Sequence, residues 1–193
     1  MKFTEPITKE DLSKMPREVY RGRIIVVSTM KGLTKALMYL YSCPAVGFDT
    51  ETRPNFTKQT HYRMSLIQLA TDEMCFLIRV NKFKGIPVPL ETFLKNNEVK
   101  KIGLSLKDDF LGLHRLIDIS PDNFIDLQNY VGQFGIEDMS LQKIYAKLFG
   151  KKISKSARLT NWNAALLTDA QLQYAALDAW SCLHIYQFLE NAK

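Results

Sequence analysis

The stretch AVGFDTE at residues 45–51 is an apolar run that ends in two acids placed two positions apart. Val46 and Phe48 predict a strand that is buried. Successive side chains of a strand point to opposite faces, so Asp49 and Glu51 point the same way at its end. Two carboxylates on one face repel each other unless a cation lies between them. The alternative is an exposed strand end with two solvated acids, and the pair alone does not decide between the two.

Strand and helix patterns extend from this stretch in both directions. Runs rich in β-branched and apolar residues predict strands at 23–28, 45–51, 64–71, 74–80 and 99–105. Apolar residues at helical spacing predict helices at 31–42, 90–97, 107–117 and 140–149. Residues 123–131 combine a short strand with a helical turn. The early strands can form a meander and the later ones alternate with helices, which predicts an α/β fold with a mixed β-sheet flanked by α-helices.

Two segments are expected in the 193 residues. Residues 1–22 form an N-terminal arm, in which Thr8 and Asp11 can open a short helical turn. Residues 23–193 form one domain, which is long enough to bury a core without disulfides or metal staples. The three cysteines are scattered, without the paired spacing of a zinc site, and they indicate free thiols in a reducing compartment. We therefore expect a cytoplasmic location, or a nuclear one in a eukaryote.

The charge of the chain favours a polyanionic partner. The formal net charge is +6 and the sequence pI is about 9.2, which is typical of proteins that bind nucleic acid, although solvated lysines give the same balance. The longest apolar runs have the length of strands, and the start of the chain lacks the apolar region of a signal peptide. We expect no membrane partner.

A second pair of candidate residues lies near the end of the chain. Thr168 and Gln171 form a capping box that marks the start of a long helix. Tyr174 and Asp178 are four residues apart on that helix, so they share a face one turn apart. Asp178 has no basic residue four positions to either side. An unpaired acid beside an apolar helix face suggests a metal site, and the alternative is an acid on the solvated face.

Asp108 and Asp109 supply a third acidic position, at the start of the helix predicted at 107–117. Acids in a first helical turn are ordinarily explained by the helix dipole. Asp109 lies four residues before Leu113 and therefore on the apolar side, which makes it the inward acid. The three segments together offer carboxylates without histidine or cysteine, a ligand set that suits Mg²⁺ or Mn²⁺. Two such ions about 3.5–4 Å apart form the clamp used in phosphoryl displacement.

Four blocks of sequence together resemble one known family. VGFDTE, SLIQLA, KIGLSLKDDFLGL and LTDAQLQYAALDA occur in this order, and the set resembles the DEDDy branch of the DnaQ-like 3′→5′ exonuclease superfamily. The resemblance covers about residues 23 to 190, and its pattern is similar to the Werner syndrome protein exonuclease domain and to ribonuclease D. It implies an RNase H-like fold and hydrolysis of nucleic acid from the 3′ end to nucleoside monophosphates with two divalent metal ions.

The resemblance also implies roles for individual residues. Asp49, Glu51, Asp109 and Asp178 match the metal-binding acids, and Tyr174 matches the tyrosine that positions the attacking water. The sister branch has a histidine five residues before the last acid, where this chain has Gln173. Many relatives carry Arg-Pro before the last helix, where this chain has Ala165 and Leu166, so this position offers no arginine for a substrate contact.

The expected partner is a single-stranded 3′ end of DNA, with RNA as a possible substrate. The candidate contacts are basic and aromatic side chains near the motifs, namely Arg53, Lys155, Arg158 and Trp162. Each has a structural alternative, because the basic residues can be solvated and Trp162 can pin the loop to the core. Two other functions stay open: RNA 3′-end trimming like that of ribonuclease D, and a nucleic-acid-binding module without catalysis.

Overall fold

A six-stranded mixed sheet forms the centre of the computed structural model, which describes residues 7–55, 62–83, 85–120 and 123–193. Its strands are β1 Arg23–Val27, β2 Ala45–Thr52, β3 Met64–Ala70, β4 Met74–Ile78, β5 Lys100–Gly103 and β6 Phe124–Asp126. Their spatial order is β1-β4-β3-β2-β5-β6. β3 is antiparallel to β2 and β4, and the other neighbours are parallel. The predicted meander is therefore β2-β3-β4, and β1 joins its edge in parallel.

The helices lie close to where the sequence predicts them. They are α1 Lys9–Lys14, α2 Met30–Leu40, α3 Val88–Leu94, α4 Lys107–His114, α5 Leu127–Tyr130, α6 Leu141–Phe149 and α7 Asp169–Glu190. α7 begins at the predicted capping box. α4 ends earlier than predicted, since the N–H of Leu116 bonds to the carbonyl of Leu113 in a tighter turn. Within the described parts of the chain, every helix is too short or too polar to span a membrane.

The helices cover the two faces of the sheet and create two cores. α7 packs on one face, where Leu66, Leu77 and Ile102 belong to the same buried cluster as its apolar residues. α2, α3 and α4 cover the other face with the second cluster, which contains Phe48 and Leu69. This arrangement confirms the predicted α/β class and places two acids of β2 under α7.

A glycine on β2 allows the long helix to approach the sheet closely. A Cβ added to Gly47 would lie 1.9 Å from the carbonyl oxygen of Ala179, which is backbone and cannot move aside. Gly47 stands on the same strand face as Asp49, and Ala179 follows Asp178 in the chain. The close contact therefore brings the acid of α7 down to the acids of β2.

The segment before β1 is attached to the domain. The predicted turn is helix α1, capped by Thr8 and Asp11. Further on, the N–H of Glu18 bonds to the carbonyl of Lys152 at 2.9 Å, and the Glu18 carboxylate meets Lys151 at 2.9 Å. Tyr20 is buried, and its hydroxyl donates to the carbonyl of Thr71 at 2.9 Å. Within the segment assigned to an arm in the sequence analysis, Glu18 and Tyr20 are thus buried against the domain.

Candidate metal centre

Three carboxylates from distant parts of the chain meet between the sheet and α7. β2 carries Asp49 and Glu51, and α7 carries Asp178. One oxygen of each lies within 4.8 Å of the others. The alternation of the strand and the approach of α7 at Gly47 produce this grouping. Oxygen atoms at this separation suit a hard divalent cation.

Asp109, in the first turn of α4, is outside this group of three but lies near enough to act electrostatically on Asp49 and Glu51. It accepts a hydrogen bond from the hydroxyl of Thr50, the residue between the two acids of β2. Asp108, the preceding residue, is exposed to solvent. The helical phase therefore predicted the inward acid correctly. Thr50 joins α4 to the strand that carries Asp49 and Glu51.

Burial raises the pKa of every acid at the site, and repulsion between the acids adds to the rise at Asp49 and Glu51. For Asp49, burial and then Asp109, Asp178 and Glu51 raise the pKa well above its ordinary value. Burial raises the pKa of Glu51 to about 9, with Asp178 and Asp109 adding to the effect. For Asp178, burial raises the pKa to about 7, although a hydrogen bond from Tyr174 and the charges of Lys155 and Arg158 oppose the rise.

Burial also raises the pKa of Asp109 to about 6, with the hydrogen bond from Thr50 opposing the rise and the charges of Asp108 and Asp126 adding to it. Among the described residues, no Lys or Arg forms an ion pair with any of the four acids. Carboxylates that are buried without a counter-ion are costly to ionise. The set of ligands therefore fits a divalent cation, which would supply the missing positive charge.

Tyr174 lies beside the acids and remains a hydrogen-bond donor. Its hydroxyl lies beside Asp178, one helical turn further along α7, and lowers the pKa of that carboxyl. Burial, followed by the charges of Asp178 and Glu51, raises the pKa of the phenol well above its ordinary value. Tyr174 is thus protonated at neutral pH and cannot act as a general base. It can hold a polar group in place.

Comparisons with known proteins agree with this geometry. A family model described as 3′-5′ exonuclease matches residues 24–192. The chain belongs to the 3′-5′ exonuclease family. The RNase H-like fold predicted for this exonuclease domain is confirmed by its structural neighbours.

Individual relatives include enzymes named for DNA and for RNA. The mouse bifunctional 3′-5′ exonuclease/ATP-dependent helicase WRN is 33% identical over 159 residues, which are 80% of this chain and 11% of that protein. DNA polymerase I of Aquifex aeolicus is 34% identical over 152 residues, 79% of this chain and 25% of the polymerase. The structure of Escherichia coli RNase D has a TM-score of 0.78 at 25% identity and covers 88% of this chain and 44% of its own. The exonuclease domain thus spans less than half of each of these relatives.

The position of Trp162 in the exonuclease domain differs from the predicted one. Its side chain is completely buried, its ring lies 6.0 Å from that of Tyr174, and its indole N–H points to the carbonyl of Arg158 at 3.4 Å. A buried ring cannot stack on a base. The prediction that Trp162 contacts nucleic acid is therefore wrong, and the alternative reading, that it pins the loop to the core, is correct.

Arg79 is a buried residue of the exonuclease domain that sequence reasoning missed. It follows β4, and its guanidinium donates to the carbonyls of Ala164 at 2.5 Å and Ala165 at 3.3 Å. From the other side, the Gln171 amide donates to the hydroxyl of Thr160 at 2.9 Å. The loop that carries Trp162 is thus fastened to both the sheet and α7. An arginine directly after the apolar run MCFLI was the only signal in the sequence.

The three basic candidates differ in what they contact. Lys155 and Arg158 are exposed, and both act electrostatically on Asp178. The guanidinium of Arg53 lies 4.6 Å from the centre of the Tyr62 ring. A cleft of about 530 Å³ opens beside Asp108, and Tyr62, Arg63 and Arg115 are among its lining residues. Of the three candidates, Lys155 and Arg158 are the ones whose positive charge acts on the acids.

Proposed function

We propose that this chain hydrolyses nucleic acid from the 3′ end and releases nucleoside monophosphates, with single-stranded DNA as the favoured substrate. The observation that carries the proposal is the meeting of Asp49, Glu51 and Asp178 beside the hydroxyl of Tyr174. Asp109 completes the five positions that match the family pattern. A module without catalysis would not need this costly set of buried acids, which argues against the silent alternative.

The proposed cofactors are two divalent ions, Mg²⁺ or Mn²⁺, held by Asp49, Glu51, Asp109 and Asp178. Such ions lower the pKa of a bound water and stabilise the charge that develops on the leaving oxygen. The carboxylates hold the ligand oxygens in place from three different elements of the fold. Thr50 fixes Asp109 through its hydroxyl.

Tyr174 contributes orientation. Its hydroxyl already lies beside Asp178, and its ring packs against the buried Trp162. The phenol donates a hydrogen bond and is held by a residue that is itself fixed in the core, so we propose that it orients the attacking water. The exposed Lys155 and Arg158, together with Arg53 beyond the end of β2, are proposed to contact the phosphates of the strand.

RNA is the second candidate substrate. The observation in its favour is the 25% identity and the 0.78 TM-score to Escherichia coli RNase D. Discrimination between the two sugars depends on contacts to the 2′-hydroxyl. A DNA strand and an RNA strand of the same sequence, tested side by side, separate the two candidates.

The test uses 5′-labelled single strands of DNA and RNA with Mg²⁺, Mn²⁺ or EDTA. We expect products that shorten one nucleotide at a time with either metal, and no digestion in EDTA. Asp49→Ala should lower the rate by at least ~10²–10³, the scale of losing one electrostatic contact to the transition state. Digestion that continues in excess EDTA, or an Asp49→Ala protein with wild-type turnover, would contradict the proposal.

A further inference from the structure

Gln68 lies next to the acids, on the central strand β3. It stands directly opposite Asp49 on β2 and opposite Leu77 on β4. Residues that are directly opposite in a sheet have their side chains on the same face, with Cβ atoms about 4.5–5.5 Å apart. Asp49 faces α7, because it meets Asp178 there. The amide of Gln68 therefore lies in the layer between the sheet and α7, beside the Asp49 carboxylate.

The amide of Gln68 is buried without a hydrogen-bond partner. The residue has no exposed surface, and neither its oxygen nor its nitrogen has a partner within the described part of the chain. Most buried side-chain polar atoms in proteins are paired, because an unpaired one keeps the cost of leaving water. Ser65, on the same strand, follows that rule, since its hydroxyl donates to Asn163 at 2.7 Å. Burial of the Gln68 amide therefore costs desolvation free energy that no hydrogen bond within the described part of the chain offsets.

Side-chain hydroxyl groups lie next to two of the acids, and Asp49 has no side-chain donor of this kind among the described residues. The hydroxyl of Thr50 donates to Asp109, and the hydroxyl of Tyr174 lies beside Asp178. For Asp49, the described residues supply a backbone hydrogen bond at Thr50 and no side-chain donor. A carboxylate that turns one oxygen to a cation leaves its other oxygen as an acceptor, and groups that occupy such acceptors orient the ligand. The unpaired amide and the acid that lacks a side-chain donor are cross-strand neighbours.

We propose that Gln68 is a positioning residue of the metal centre, whose amide N–H donates to the Asp49 carboxylate and holds it toward the cation. The inference rests on the proposed function, because it assumes that Asp49 is a metal ligand. It explains why a polar amide occupies a fully buried position on a strand that is otherwise almost entirely apolar. The amide of Gln68 contacts neither water nor substrate in this role.

The test compares Gln68→Met with Leu77→Met in the full chain. Methionine has nearly the shape of glutamine and no amide, and Leu77 is the buried neighbour on the other side of Gln68. We expect Gln68→Met to weaken Mn²⁺ binding about 10- to 100-fold, the usual effect of removing a group that orients a metal ligand. Its thermal midpoint in EDTA should equal or exceed that of the wild type, since the unpaired amide is gone. Leu77→Met should bind Mn²⁺ like the wild type.

Calorimetric titration with Mn²⁺ alone separates the possible results. Wild-type affinity in Gln68→Met would overturn the role of Gln68 while leaving the proposed function intact. A wild-type protein that binds no Mn²⁺ would overturn the metal centre and this inference with it. If Gln68→Met does not fold, Gln68→Leu repeats the test, and failure of both variants would show that the amide stabilises the fold instead. In an Asp49→Ala background the Gln68→Met effect on affinity should disappear, and its persistence would also contradict the proposal.

Discussion

Without metal, the protein should lose stability as the pH rises, and Asp178 should account for a defined part of the loss. Its pKa is raised from 3.8 to about 7 in the folded protein, mainly by burial. The folded state thus holds the proton more tightly than the unfolded state. This contribution to stability is fully present below about pH 4 and is lost as the pH rises through 7.

The size of the effect follows from the shift. A difference of about three pKa units corresponds to about 4 kcal/mol, of which about 2.5 kcal/mol is lost between pH 5 and pH 8. Glu51, with a folded pKa of about 9, extends the loss to higher pH. Asp178→Asn should therefore flatten the pH dependence of the free energy of unfolding by about 2.5 kcal/mol over that range.

Urea unfolding in EDTA at a series of pH values measures this directly, with Asp118→Asn as the control at an exposed acid. Adding Mn²⁺ at pH 8 should restore the stability of the wild type, because a ligand that binds only the folded state stabilises it. The same addition of Mn²⁺ should raise the free energy of unfolding of the Asp178→Asn variant much less. A wild-type curve that is flat between pH 5 and pH 8, or a variant with an unchanged slope, would refute the argument.

Three further predictions concern catalysis and substrate binding. Asp109→Asn should reduce exonuclease turnover far more than Asp108→Asn, because Asp109 is turned inward and Asp108 is exposed. The reverse ranking in a steady-state assay would contradict the assigned helical register. Tyr174→Phe should lower the rate of single-turnover cleavage about ten- to a thousand-fold, which corresponds to about 1.4–4 kcal/mol, and should leave the Mn²⁺ affinity little changed. A wild-type rate would show that the hydroxyl has no catalytic role and that the ring only packs in the core. Neutralising Lys155 and Arg158 together should flatten the salt dependence of single-strand binding by up to about 1.5 units, and an unchanged slope would mean that both are merely solvated.

Local patterns were sufficient to predict most elements of the fold. The helix α7 was marked by its own capping box, and that box is present in the structure. The α/β class followed from the order of strands and helices. The position of β1 at the sheet edge could not be predicted, since its parallel pairing with β4 joins segments about fifty residues apart. Strand periodicity shows which side chains share a face, and it carries no information on which strands are neighbours.

Local periodicity also predicted which site residues share a face. Asp49 and Glu51 share a face because a strand alternates, and Tyr174 and Asp178 share one because a helix turns in about four residues. Their meeting needed tertiary structure. The burial of Trp162 was not evident, because a tryptophan in a loop is equally compatible with stacking on a base. Arg79 escaped notice because its partners lie 85 and 86 residues away.

The features that escaped prediction share one physical role, which is to fix groups that would otherwise repel or move. Gly47 admits the backbone of α7 to the sheet, and the carboxylates of Asp49, Glu51 and Asp178 are thereby held close together at the cost of raised pKa values. Arg79 and Gln171 fasten the loop that carries Trp162, so the ring of Tyr174 has a rigid neighbour. A buried acid cluster of this kind destabilises the metal-free protein, and its geometry can persist only if the surrounding elements are well anchored. The anchoring contacts are long-range, so a motif can identify the acids while the contacts that hold them become visible only in the folded chain.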